Sequence, residues 1–151
     1  MTMRFAYTGI VLPRPSAALG GRSTLSRPLI PITLIGPAGT QLLEGLIDSG
    51  ADGILVPDSV AAKIGIDLTM AATATTRGVG GVQVTVRYAD VTLRTAAGNE
   101  QREWTALVGF APLGRQQAIL GHVGFLQYFT TVLLGDFEMV ELTVNPLYPG
   151  T

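Results

Sequence analysis

Apolar and polar residues alternate through much of the chain. Val82, Val84 and Val86 alternate with Gln83, Thr85 and Arg87, and Tyr88 to Arg94 alternates again. A period of two puts one face of an extended segment in a core and the other outside. Leu29 to Leu34 is strand-like, and Pro31 within it suits an edge strand or a strand's start. Gln41 to Ile47, Glu103 to Val108, Thr131 to Leu134 and Phe137 to Val144 read as further strands. The apolar runs Ile54-Leu-Val56 and Ala118-Ile-Leu120 have the length of buried strands. Gly36-Pro-Ala-Gly39, Ala97-Gly-Asn99 and Gly135-Asp136 mark turns between them, and Gly109 to Gln117 reads as a loop. Two short helices are expected. One covers Ser59 to Ile64, with Asp58 as N-cap and Gly65 at the C-cap. The other covers His122 to Phe129, after Gly121. Arg4 to Leu12 suggests one strand, and the Pro-, Ser- and Gly-rich stretch Pro13 to Ser26 a linker or arm. Many short runs between Gly and Pro signals give an all-β fold class. The expected organisation is an N-terminal extension, 1–26, and one domain, 27–151.

Composition narrows the function classes. A chain of 151 residues suffices for one domain with a real core. Hydrophobic residues make up 47% and charged residues 14%, which leaves apolar surface for a partner to cover. A net charge of −1 argues against nucleic acid or an anionic membrane as partner. The sequence contains no cysteine and one histidine, so neither a disulfide framework nor a metal centre is expected, and no cofactor. No apolar run approaches the ~18 residues that span a bilayer. The N-terminal apolar core, Ile10-Val-Leu12, is short for a secretory signal, so a cytoplasmic location is expected. The acid-free, moderately Ser-rich stretch before Glu44 would also suit a transit peptide.

Candidate chemistry centres on Leu46-Ile47-Asp48-Ser49-Gly50-Ala51. Two apolar residues run into an acid, a hydroxyl and a glycine. The acid is therefore expected at a buried strand end, where an ionisable group needs a partner or a task. An Asp-Ser-Gly turn is also ordinary loop composition. Further on, Arg77-Gly-Val-Gly-Gly-Val82 has the glycines that a hairpin tip with positive φ requires.

In order and spacing, these stretches resemble the retropepsin-like aspartic proteases. The resemblance runs from about Arg27 to Val144. It rests on the apolar-apolar-Asp-Ser-Gly-Ala signature, the Gly78-Val-Gly-Gly81 segment in the place of a flap, and Ala118-Ile-Leu-Gly121. The helix expected after the signature, and the C-terminal hairpin, are closer to cellular and bacterial members than to viral ones.

The resemblance implies a closed β-barrel, half of an acid protease, assembling as a two-fold homodimer. It implies Asp48, Ser49 and Gly50 as catalytic residues of an endopeptidase that cuts a peptide or protein substrate. Only one Asp-Ser-Gly is present, since Asp58-Ser59 is followed by Val60, so the second acid would come from a second copy. Substrate contacts are implied for Leu46, Ala51, Asp52, Leu55, Gly78, Val79, Gly80, Gly81 and Ile119. Viral members pair the acid at Asp52 with an arginine just after Ile-Leu-Gly. His122 stands there here, and a weaker His122–Asp52 contact is expected. Because Ala51 cannot donate to the carboxylate, activity is expected at mildly acidic to near-neutral pH. The alternative is a retropepsin-like dimer that binds or assembles without cutting. A Ser-His-Asp hydrolase is rejected, since Ser49 lacks a Gly-x-Ser-x-Gly elbow. Gly109 to Gly114 is not a P-loop, since Arg115-Gln116 follows.

Overall fold

The computed structural model describes residues 1–78 and 80–151, so the Val79 expected in the flap lies outside the described residues. Its centre is a barrel of β4 (Leu29–Gly36), β5 (Gly39–Ile47), β6 (Ile54–Pro57), β8 (Gln83–Ala97), β9 (Glu100–Ala111) and β10 (Gln117–Leu120). These pair in the order β4-β5-β10-β6-β9-β8, and β8 pairs back to β4 at Thr33–Ile35, which closes the ring. The hairpins β4–β5 and β8–β9 follow their turn signals, with Gly98 left-handed at φ 59°. The non-local pairings come from β10. It runs parallel to β5 and antiparallel to β6, and β6 in turn runs parallel to β9.

Alternation explains which side is core. Ile30, Ile32 and Leu34 of β4 point inward, as do Leu43 and Ile47 of β5, Ile54 and Val56 of β6, and Leu120 of β10. Val91 and Leu93 meet Trp104, Val108 and Phe110 across the same interior. Near Pro31, the buried Thr95 hydroxyl of β8 donates to the Pro31 carbonyl at 2.7 Å, so that polar group is not left unpaired. Helix α1 (Ser59–Ile64) packs Val60, Ala61 and Ile64 against the barrel. Gly65 caps it at φ 78°. Asp58 sits at the N-cap as expected, but its side chain makes no cap bond.

Residues 1–26 are ordered as strands. The stretch expected as one strand breaks at Tyr7, whose N–H bonds the Glu138 carbonyl. Before the break, β1 (Thr2–Ala6) pairs with β12 (Met139–Val144), which pairs with β11 (Phe129–Leu134). Met3 and Phe5 enter the common core. After it, β2 (Thr8–Ser16) and β3 (Arg22–Arg27) form a two-stranded hairpin, which takes in the Pro13–Ser26 stretch expected as a linker or arm.

Two other expectations change. The Gly109–Gln117 loop begins only at Pro112, because β9 continues to Ala111 beside β6. Residues 122–128 form turns about a bridge from Val123 to Gly53, not a helix. Gly124 is left-handed at φ 91°, which interrupts a right-handed helix. The N–H groups of Leu126 and Gln127 reach back five residues, to Gly121 and His122.

Candidate active site

Asp48 follows the last residue of β5. Ile47 before it is buried, whereas Asp48 is half-exposed and Ser49 and Gly50 are exposed. The acid thus stands at the mouth of the barrel rather than in a buried strand end. Its own N–H still bonds the Leu120 carbonyl of β10 at 3.1 Å. Its carboxylate oxygen Oδ1 accepts from the Gly50 N–H at 2.9 Å, and its carbonyl accepts from Ala51. These bonds form a tight Asp-Ser-Gly turn that fixes the carboxylate. A Cβ on Gly50 would meet only Asp48 Oδ1, at 3.2 Å, so glycine keeps that side of the acid open.

Beyond the turn, the loop is tied to the end of β10. Gly121 N–H donates to Gly53 at 3.1 Å, His122 N–H to Ala51 at 3.0 Å, and Val123 N–H to Asp52 at 2.8 Å. The two backbones touch. A Cβ on Gly121 would lie 2.5 Å from the Ala51 carbonyl oxygen and closer still to that of Gly53. The glycine of Ile-Leu-Gly is therefore required by contact, since any side chain would push the acid's loop away. The expected His122–Asp52 side-chain contact is absent from the ion pairs and hydrogen bonds among the described residues. Both side chains are exposed, and the main chain makes the link instead.

An apolar row crosses the outer face of the sheet beside this loop. Leu29 pairs with Leu46, Leu46 with Ile119, Ile119 with Leu55, Leu55 with Gly109, and Gly109 with Tyr88. Directly paired residues share a face. Leu46, Leu55 and Ile119 are half-buried, so the structure brings these three expected residues together. Gly109 and Tyr88, expected from the sequence only as a loop start and a strand residue, extend the row. A Cβ on Gly109 would fall 2.7 Å from Leu55 and 3.1 Å from Tyr88, so these side chains close over the glycine. The signal was present in Val84, Val86 and Tyr88, whose alternation continues onto this face. A 340 Å³ hollow lined by Leu113, Gly114, Arg115, Gln117 and Ile119 adjoins the row. A larger one, of 620 Å³, opens along Leu42, Glu44 and Lys63 and does not include Asp48.

The glycine-rich hairpin grows from the same sheet. β7 (Ala72–Arg77) pairs with β8 from Ala72↔Tyr88 to Arg77↔Gln83. Gly80 and Gly81 have φ of 95° and 75°, and Gly81 N–H bonds the Gly78 carbonyl at 3.1 Å. Gly78, Gly80 and Gly81 are exposed, with nothing within 4 Å of where a Cβ would stand. Among the described residues, no three His, Asp or Glu side chains group as metal ligands would.

A family model matches the stretch of chain that holds the Asp-Ser-Gly turn, the glycine hairpin and the Ile-Leu-Gly end strand. The model described as "Aspartyl protease" aligns with residues 31–122, from β4 through the acid to the residue after Gly121. The chain belongs to the aspartyl protease family. Among solved structures, this aspartyl protease is similar to a retropepsin-like aspartic protease from Rickettsia conorii. The two are 20% identical, with a TM-score of 0.50 over 89% of this chain and 98% of that one. At that identity the likeness speaks for the fold, which is the retropepsin-like barrel. No curated protein matches.

Proposed function

We propose that the chain is an aspartic endopeptidase whose active species is a homodimer. Each copy supplies one Asp48. The observation that carries this reading is the Asp48 turn itself. It is a half-exposed acid, held by backbone bonds at the barrel mouth, one step beyond an apolar row and present once per chain.

One carboxylate is a weak catalyst of amide hydrolysis. Two sharing a proton divide the work. The ionised one takes a proton from water as it attacks, and the protonated one donates to the carbonyl oxygen. Like charges ~3 Å apart do not both ionise, so the pair titrates in two separated steps. Ser49 would brace the two turns across the two-fold axis, and Gly50 would leave room for water and the scissile carbonyl. An extended substrate would lie along Leu46, Ile119 and Leu55, which favours apolar side chains around the cut. The β7–β8 hairpin would close over it and exclude water. Residues 27–151 carry all these parts, and the β2–β3 hairpin is an appendage to them.

The test is cleavage of a diverse peptide mixture across pH, wild type beside Asp48→Asn. Cuts in apolar contexts that vanish in the variant are expected, with activity at mildly acidic to near-neutral pH. Cuts that persist in the variant would move the site elsewhere. A confirmed dimer that cuts nothing would favour a non-proteolytic binding module.

A further inference from the structure

We infer that Trp104 and Gln127 are positioning residues that clamp the acid's loop from behind, a role that rests on the reading of Asp48 as catalytic. The carbonyls of residues 51–53 accept their bonds from Gly121, His122 and Val123. That segment must itself be held, and turns 122–128 are not braced by a helix. The hold falls on the next residue, Gly124. Its carbonyl accepts from the Trp104 indole Nε1 at 2.8 Å, and its N–H donates to Gln127 Oε1 at 2.8 Å. Both faces of one residue are thus gripped by side chains.

Each grip is anchored in turn. Trp104 is 2% exposed, lies on β9, and stacks edge-on with Phe129 at 5.1 Å. Tyr148 and Phe125 flank it at 6.0 and 6.1 Å. Gln127 is held by its carbonyl, which accepts from Asn145 Nδ2 at 3.0 Å. Gly124 has no slack of its own, because a Cβ there would stand 3.0 Å from Ile54 and 3.2 Å from Ala106. An indole N–H buried in an apolar core needs a partner, and here its partner is the loop that backs the acid. The main-chain bonds and this clamp hold the acid's loop where the expected His122–Asp52 contact is missing.

The experiment compares wild type with Trp104→Phe, which keeps an aromatic ring but loses the N–H, and with Gln127→Met. Gln127→Glu keeps the accepting oxygen and serves as rescue. Amide hydrogen exchange is followed at Gly121, His122 and Val123 against barrel amides such as Ile32 and Leu43. Faster exchange confined to the three loop amides is expected in Trp104→Phe and Gln127→Met, but not in Gln127→Glu. In the same variants kcat is expected to fall roughly 10- to 100-fold with KM nearly unchanged, as for a misplaced reacting group. Exchange that rises uniformly, or not at all, would overturn the clamp, as would loop-confined exchange with wild-type kcat. If the wild type cuts no peptide, the peptidase reading fails, and the exchange pattern alone then decides the clamp.

Discussion

The flap-like hairpin and the acid's loop are both glycine-rich, and their glycines do opposite things. At the hairpin tip, Gly78, Gly80 and Gly81 face open space, and two of the three are there for positive φ. At the acid's loop, Gly121 has no room for a Cβ because the main chain carrying Ala51 and Gly53 lies against it. The first region needs a backbone that can turn in solvent, and the second needs two backbones in contact. Under the proposed function the hairpin would move over a substrate, whereas Asp48 would have to stay where it is.

The largest effect should therefore come from filling the closed region. Gly121→Ala should destabilise the protein by about 3 kcal/mol, the upper range for overpacking, and abolish detectable cleavage. Wild-type melting and cleavage in that variant would mean that the loops do not touch. The tip should respond less, and unevenly. Gly81→Ala should cost up to about 1–2 kcal/mol, because φ 75° is strained for alanine. Gly78→Ala should be neutral or stabilise by about 0.4–1 kcal/mol, because it has space and needs no positive φ. Paired thermal melts would show the split, and equal melts would remove the distinction.

Smaller effects sharpen the chemistry of the closed region. Ala51→Ser adds a hydroxyl beside the acid. A donor to the ionised form lowers its pKa, so the acid limb of the pH–rate profile should move to lower pH. An acid limb that stays put would show that position 51 does not reach the carboxylate. Behind the loop, Tyr148 is partly buried, and desolvation raises its phenol above the usual 10.0. The folded state then holds the proton more tightly than the unfolded one. Stability from this group is present below pH 10 and is lost as pH rises through the folded pKa. Chemical denaturation of wild type and Tyr148→Phe above pH 10 should show the steeper fall in the wild type.

What could be read directly in the residues was local. Alternation marked the barrel strands, Gly-containing turns marked β4–β5 and β8–β9, and Asp58 with Gly65 bounded α1. The acid's motif stood out because Asp, Ser and Gly after two apolar residues is a chemical pattern that needs no fold to be noticed. The expected helix over 122–129 failed because Gly124 adopts φ 91° to meet Trp104, twenty residues away. The stretch Pro13 to Ser26, expected as a linker or arm, instead pairs as the end of β2 and as β3, while β1 ahead of it is held by Met3 and Phe5, which reach the core beside β12.

Most of the barrel strands, the β4–β5 and β8–β9 turns and the acid are legible in the residues alone, since each depends on neighbours within a few positions. The folded chain alone reveals that β10 lies between β5 and β6, that Leu46, Ile119, Leu55, Gly109 and Tyr88 form one row, and that Gly121 lies against the acid's loop. Those facts depend on contacts between distant segments, and a side chain's chemistry does not say which distant backbone will come to lie against it.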